Sequence, residues 1–593
     1  MAESPQKYRL CDRMRLWEFK EQFVFEPLDG EPHELLSVSR ADGDIRTIGD
    51  LPVSDGDQHP KTTPIFGIVG VLRLLAGTYV LVVTGRMSVG TYHGHPVYRA
   101  SSMKFFSCNS TSKALNPKER RDEAYFTRLL RTVETTPGLY FSYGVDLTLS
   151  AQRMQKLDNS QITLPLWKQA DARFLWNYYM LGELIERKLD SYLLPVFQGS
   201  FQKIQVLLRE KLVSVTLVSR RCMRRVGTRM WRRGADLEGS VANFVETEQI
   251  LEVDGYLASY VQVRGSIPVI WEQIVDLTYK PKMRAIDLEE TPKVVQRHFQ
   301  DLSQRYGSVL ALDLINQQGS EAVLSLAYGS AMQSLVNKNL RYVPFDFHRT
   351  CGHTHFERLT SLYDQIAEDF SDQGYFFVNP SGVVVEEQKG VARTNCIDCL
   401  DRTNVTQSLL GRKSLEVQLQ RAGLFGPSDS VTQHATFDEQ FKQLWADHGD
   451  NISIQYSGTS ALKGDFVRHG KRTTFGPIQD GYNSLARYYL NNFHDGLKQD
   501  AMDLVTGKYD LKLSNTNLIH PKGFESYSSL PLALILAGAG VTFTSVSLRQ
   551  AGGQDAIQIL CTILGASLTA AVLFIVRSTG REFCNKPRLC KLY

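Results

Sequence analysis

The sequence is poor in cysteine and has no excess of charge of either sign. Nine cysteines in 593 residues, an odd number, exclude a disulfide framework and point to a reducing compartment. Lysine plus arginine total 67 against 63 for aspartate plus glutamate, a net charge of +4. That balance excludes a nucleic-acid binder working by bulk charge. With 42% apolar and 22% charged residues, a disordered chain is excluded as well. Met1–Arg15 lacks the apolar stretch of a cleavable signal peptide, and there is no internal repeat. A chain of 593 residues is too long for one ordinary core and implies two or three units.

Long apolar runs occur only near the end. Ser526–Leu548 and Ala556–Val576 carry no charge, and the short polar loop Arg549–Asp555 divides them. Each approaches the ~20 residues a helix needs to cross a bilayer core. Two buried helices of a soluble core are the alternative, but the tight polar turn favours a membrane hairpin. Lys508, Lys512 and Lys522 precede it, and Arg577, Arg581, Lys586, Arg588 and Lys591 follow it, whereas the loop has Arg549 alone. The expectation is therefore a juxtamembrane linker at 511–529, spans at 530–548 and 556–576, a tail at 577–593, and both termini in the cytosol. The sequons at Asn109, Asn404 and Asn451 then read as chance matches. Removing Leu530–Tyr593 is expected to leave a folded, soluble body.

The body reads as mixed α/β. Pro64–Thr84 holds two β-rich runs broken at Ala76-Gly77-Thr78, a hairpin pattern. Leu139–Asp146, Leu212–Arg220, Val309–Asn316 and Arg341–His348 are expected strands; Ala172–Leu189 and Phe437–Ala446 are expected helices. A boundary is expected near residue 180, with a first subdomain at 1–180 and a catalytic one at 181–510.

The chemistry is concentrated in one stretch. A β-rich segment leads into Arg393-Thr-Asn395, then Cys396-Ile-Asp398-Cys-Leu-Asp401-Arg402-Thr403, then a run with Leu409, Leu410, Leu415 and Leu419 at helical spacing. Five residues between Cys396 and Arg402 let a loop curl so that its N–H groups converge on one anion, with a helix N-terminus behind it. The same field favours the thiolate of Cys396, and Arg402 can hold two phosphate oxygens at once. The bare spacing is common by chance. Its placement between strand and helix, with Thr403 and Asn404 able to cap, is what points to a phosphatase. Cys396 and Cys399 could instead be a redox pair or half a zinc site, but neither explains Asp398, Asp401 and Arg402 beside them. His348, Cys351, His353 and His355 lack a partner pair at metal-site spacing, and no metal or cofactor is expected.

RTNCIDCLDRTN (Arg393–Asn404) resembles the signature of the Sac-family phosphoinositide phosphatases. NFVETEQ (Asn243–Gln249), RGSIPVIW (Arg264–Trp271), FDFH (Phe345–His348) and GTSALKGDFVRHGKRT (Gly458–Thr473) agree with it. With the terminal hairpin, the resemblance is to the integral-membrane type of the endoplasmic reticulum and Golgi. It implies metal-free hydrolysis of phosphatidylinositol 4-phosphate and 3-phosphate, and a family profile at about residues 128–458. It further implies that Arg393, Asn395 and Thr403, with Lys471 and Arg472, help bind the lipid substrate. The tail, with Lys591 alone suitably placed, departs from the dilysine-like retrieval signal of such proteins.

In the expected mechanism Cys396 attacks phosphorus, Arg402 and loop amides stabilise the oxygens, and an aspartate protonates the departing inositol hydroxyl. Asp398 is the first choice for that acid and Asp401 the second. Arg220, Arg221, Arg224, Arg225, Arg229, Arg232 and Arg233 fall within fourteen residues that contain no acid. This run is expected to face anionic headgroups, the alternative being arginines paired with acids elsewhere. A lipid-binding tether without turnover and a phosphoprotein phosphatase are the competing functions. No nucleic-acid or protein partner is indicated.

Overall fold

The computed structural model describes residues 10–29, 34–53, 60–108, 115–279, 281–286, 289–352, 355–511, 530–549 and 556–589. Asn109, His353, almost all of the expected linker, most of the interspan loop and Lys591 lie outside them. The fold is mixed α/β, and two sheets organise it. The first is five-stranded and antiparallel, in the order Ile45–Ile48, Leu35–Ser39, Gln22–Pro27, Met14–Glu18, Lys61–Ile65. The second runs through the whole body. Its strands follow one another as Leu340–Pro344, Ser308–Asp313, Gly390–Asn395, Tyr256–Arg264, Val245–Val253, Lys211–Arg221, Phe197–Leu208, Leu139–Phe141, His95–Ser107, Thr78–Tyr92 and Ile68–Arg73.

The expected hairpin is there: Ile68–Arg73 pairs antiparallel with Thr78–Tyr92. It turns at Gly77, whose φ of +144° is one that side-chain-bearing residues rarely adopt. Residue 180 falls inside the helix Tyr178–Glu186, which buries Met180, Leu181 and Leu184. Met180 packs in one cluster with Val69 and Leu72 of the hairpin. The second sheet continues across this point.

Four strands and six helices recur below. Strand β1 is Tyr256–Arg264, β2 is Ser308–Asp313, β3 is Leu340–Pro344 and β4 is Gly390–Asn395. Helix α1 is Asp401–Arg421, α2 is Ala435–Ser457, α3 is Gly476–Phe493, α4 is Asp495–Val505, α5 is Leu530–Arg549 and α6 is Ala556–Ser578. β4 lies between β1 and β2, parallel to both, and β3 is parallel to β2. All six residues of β4 are buried, as befits a parallel strand covered on both faces. Ligands in such sheets bind beyond the carboxyl ends of the strands, and β4 ends at Asn395, one residue before Cys396. Helix α2 runs well past the expected Ala446 because Gly449, Ile452 and Tyr456 continue a buried face. Helix α4 contributes Met502, Leu504 and Val505 to the cluster that holds Phe126 and Leu129, so the end of the expected catalytic segment packs against residues of the expected first one.

Helices α5 and α6 pack antiparallel. Gly540 lies against Gly565 and Thr569, and Gly565 against Thr544, a small-residue contact that lets backbones approach closely. Among the described residues, Ile559–Ser578 is long and apolar enough to cross a membrane, and Ile535–Leu548 of α5 is a shorter apolar helix. Beyond α6 the chain returns to the body. Cys584 joins Met230, Trp231 and Val275 in a small apolar cluster. Asn585 Oδ1 accepts from Leu497 N (2.7 Å), and Asp500 accepts from the backbone of Arg588 (2.7 Å) and Leu589 (2.9 Å). Residues 580–589 are thus part of the packed structure rather than a trailing tail.

Candidate active site

The segment after β4 turns sharply and enters α1 at Asp401. Leu400 occupies the N-cap position of α1 and supplies no side-chain hydrogen bond. Thr403 and Asn404, expected to cap, point elsewhere: Thr403 Oγ1 approaches Cys396 Sγ (3.4 Å), and Asn404 Nδ2 donates to Trp445 O (2.8 Å). Among the described residues the first N–H groups of this 21-residue helix have no side-chain acceptor beside the thiol, an anion-binding arrangement. Cys399 adopts φ +54°, in the left-handed region. That conformation brings its N–H back to Cys396 Sγ at 3.0 Å.

Cys396 is buried. Burial alone would raise its pKa, but the hydrogen bond from Cys399, the charge of Arg402 and the Thr403 hydroxyl prevail and bring it down to about 6. Cys399 is driven the other way, first by burial and then by the neighbouring Cys396, so its thiol stays protonated. Both cysteines are free, and Cys399 Sγ donates to Gly265 O (2.8 Å).

Arg402 is fixed from one side. Its Nη1 donates to Leu314 O (3.1 Å), Asn316 Oδ1 (3.3 Å) and Glu321 Oε2 (3.0 Å), and its Nη2 to Glu321 Oε1 (2.8 Å). Glu321 grips the outer end of the guanidinium. It leaves Nε, and the second proton of Nη2 on the same edge, without a hydrogen bond among the described residues. A cavity of about 450 Å³ opens here, lined by Cys396, Asp398, Asp401, Arg402, His348 and Lys463.

The two aspartates differ. Asp398 is held by two guanidiniums: Arg229 reaches Oδ2 from Nε (3.0 Å) and Nη2 (2.8 Å), and Arg233 pairs with Oδ1. Burial opposes ionisation, but these arginines hold the carboxyl well below the usual carboxylate range. Asp401 is raised by burial, against the lowering effects of Arg487 and of the hydrogen bond from Leu462 N (2.8 Å).

Other expected site residues lie outside the cavity. Arg393 is wholly buried behind the loop, donating to His298 Nε2 (3.2 Å), Asn395 Oδ1 (2.5 Å) and Ser266 O (2.5 Å). Asn395 Nδ2 in turn donates to Asp313 Oδ1 (2.6 Å). Both brace the end of β4 and have no surface to offer a substrate. Lys471 is exposed, and Arg472 is spent on Asp465 (2.9 Å) and Asp480 (2.7 Å); Lys463 takes the place at the cavity wall.

The arginine run is not a lipid-facing patch. Arg220, Arg221, Arg232 and Arg233 are buried, Arg225 and Arg229 are half-buried, and Arg224 alone is exposed. Arg220 stands opposite Glu246 on the next strand and pairs with Glu246 (3.1 Å) and Glu248 (2.7 Å). Arg221 Nη1 donates to Gln198 Oε1 (3.3 Å), Arg232 pairs with Asp503 (2.9 Å), Arg224 with Asp301 (3.2 Å), and Arg225 Nη2 donates to Arg233 O (2.7 Å). The acids absent from the run are supplied by distant segments.

Sequence reasoning missed Glu321, Lys463, Arg229 and Arg233 in these roles, and also Arg264. Arg264 is buried, donates to Asn404 Oδ1 (3.1 Å), and among the described residues leaves Nε and Nη1 without hydrogen-bond partners; burial lowers its pKa to about 10. It begins the quoted segment Arg264–Trp271, but nothing local marks it as part of a site. Among the described residues no group of three or more His, Cys, Asp or Glu side chains could hold a metal ion. The sequons at Asn404 and Asn451 sit within helices.

A buried thiol at a helix N-terminus beside an arginine, at the carboxyl end of a parallel strand, is an arrangement suited to binding an anion. The SacI homology domain matches residues 66–352. Over 98% of both chains the protein is 50% identical to "Phosphoinositide phosphatase SAC7" of Arabidopsis thaliana. It is 37% identical over 96% of both chains to "Phosphatidylinositol-3-phosphatase SAC1-B" of Danio rerio. Identity to "Phosphatidylinositol-3-phosphatase SAC1" of Saccharomyces cerevisiae is 32%, over 94% of this chain and 90% of that one. The chain belongs to the SacI homology family of phosphoinositide phosphatases.

Proposed function

We propose that this protein hydrolyses phosphatidylinositol 4-phosphate, and phosphatidylinositol 3-phosphate, to phosphatidylinositol through a phosphocysteine, on endoplasmic reticulum and Golgi membranes. The single observation that carries the reading is the Cys396 thiol, lowered to about 6 at the uncapped start of α1 and facing one cavity with Arg402. The thiolate attacks phosphorus in line while the free Nε/Nη2 edge of Arg402 and the first N–H groups of α1 take the non-bridging oxygens. The inositol oxygen leaves with a proton from Asp401, whose raised pKa suits a donor; Asp398, clamped as a carboxylate, instead positions the loop. Water then cleaves the thiophosphate, with Asp401 as base. Thr403 serves the sulfur rather than the substrate. Both α5 and α6 cross the membrane, with the body and residues 580–589 on the cytosolic side.

The test is phosphate release from a panel of phosphoinositide vesicles, with a phosphopeptide as control. Monophosphorylated lipids are expected to be cleaved and the peptide spared. Cys396→Ser is expected to lower turnover by about a thousandfold or more. Retained hydrolysis by that variant would remove the mechanism.

A further inference from the structure

Helix α3 is amphipathic in the wrong sense for a soluble protein. Its buried face is polar: Asn483, Arg487, Asn491 and Asn492 are each no more than 6% exposed. Arg487 donates to Thr459 Oγ1 (3.0 Å), Ser453 Oγ (3.2 Å) and Ser460 O (3.0 Å). The outward face is apolar. Ile478, Tyr482 and Leu485 are about 70% exposed and Tyr489 is 53% exposed, at a spacing that keeps all four on one side; Phe475, just before the helix, is 77% exposed. A surface helix normally buries such a stripe, and a contiguous exposed apolar patch marks an interaction site.

The surroundings of α3 identify what covers it. Tyr488 Oη donates to Leu277 O (2.7 Å), and the Tyr488 ring lies 6.5 Å from that of exposed Tyr279. Gly580, two residues beyond the end of the apolar helix α6, packs so tightly on Asp276 that a Cβ would collide with its carbonyl. The segment 276–279 thus touches α3 on one side and, on the other, the point where the chain emerges from α6. Helix α3 therefore lies near the end of the apolar helix α6. Tyrosines among aliphatics suit the bilayer interface, and the exposed Lys471 and His469 just before the helix suit anionic headgroups. At its other connection α3 is fixed to the cavity wall: Asp480 accepts from Lys463 N (2.9 Å) and from Arg472 Nη2 (2.7 Å).

We infer that α3 lies in the headgroup layer of the same bilayer that α6 crosses. Its Ile478, Tyr482, Leu485 and Tyr489 side chains face the acyl region, so the cavity draws lipid from the membrane that anchors the chain. This rests on the phosphoinositide reading above for the substrate, but the contact with lipid stands apart from it.

The test uses the full chain reconstituted in phosphatidylcholine vesicles containing phosphatidylinositol 4-phosphate, with the double variant Ile478→Glu/Leu485→Glu. Hydrolysis of a short-chain, water-soluble phosphoinositide is expected to stay within about twofold of the parent, and hydrolysis of the vesicle lipid to fall by about tenfold or more. Substrate placed only in separate vesicles should be cleaved far more slowly than substrate beside the enzyme. As a readout independent of activity, Tyr482→Trp should gain fluorescence that lipids brominated on the acyl chain quench. If the parent fails on the soluble substrate while the Tyr482→Trp fluorescence is quenched, the phosphatase reading falls and the membrane contact survives. Unquenched fluorescence, unchanged vesicle hydrolysis by the double variant, or a parent oligomer that the double variant dissociates would overturn the inference.

Discussion

The segment Arg220–Arg233 carries seven arginines and turns most of them inward, whereas helix α3 carries isoleucine, leucine and tyrosine and turns them outward. Each placement needs a partner that composition alone does not display. A guanidinium can be buried only where acids and carbonyls meet it, and here Glu246, Glu248, Asp503 and Asp398 arrive from other elements. An apolar stripe can stay exposed only where something other than water receives it. Arg229 and Arg233 hold the candidate loop through Asp398, and in the reading proposed above the outward stripe sets where that loop meets its substrate. Changes to the first should act on soluble and membrane-bound substrates alike; changes to the second should act on membrane-bound substrate alone.

After loss of Cys396 itself, the largest effect is expected inside, at Asp401. Asp401→Asn should lower hydrolysis of an inositol phosphate, a poor leaving group, by about 10²–10³-fold. It should leave an activated aryl phosphate, whose leaving group needs no proton, within about tenfold of the parent. In the parent, kcat/KM on soluble substrate should drop as pH falls through about 6, where Cys396 takes up its proton. Asp401→Asn should leave that limb in place, because it belongs to Cys396. Equal losses on both leaving groups would reassign the acid.

Next in size is the double substitution Arg229→Ala/Arg233→Ala. Leaving Asp398 without its partners should destabilise the fold by about 3 kcal/mol, read by denaturant unfolding of the body, with turnover lowered on soluble and membrane-bound substrate alike. Adding Asp398→Asn should recover much of that stability, because no uncompensated charge remains. A smaller effect is expected from removing residues 580–589 while keeping α5 and α6. Asp500 would lose its backbone donors and the Met230–Trp231 cluster would lose Cys584. Thermal stability of the detergent-solubilised protein should fall by about 1–3 kcal/mol. An unchanged melting temperature would return these residues to the status of a free tail.

The candidate loop was legible because its residues are contiguous. Cys396, Asp401 and Arg402 lie within seven residues, and strand, loop and helix follow one another in sequence. The hairpin at Gly77, the strands around 309–313 and 340–344 and helix α2 were legible from periodicity. What escaped was long-range pairing. Glu321 reaches Arg402 across 81 residues, and Arg229 reaches Asp398 across 169. Strand pairing sets Arg220 opposite Glu246, which a count of charges in a window does not see. Arg393 and Asn395 belong to the signature, yet a fully buried parallel strand gives their side chains only scaffold partners. The return of residues 580–589 was invisible for a similar reason: their backbone groups dock on Asp500, and no side-chain pattern announces it.

Cys396 is expected to become phosphorylated during turnover, which rapid acid quench during hydrolysis of a soluble phosphoinositide can detect. Mass spectrometry of the quenched protein is expected to find one phosphate on Cys396 in the parent, accumulating further in Asp401→Asn with an activated aryl phosphate, where loss of the base slows hydrolysis of the thiophosphate. Steady turnover with no phosphate on Cys396 at any quench time in either protein, or phosphate on another residue, would contradict the account.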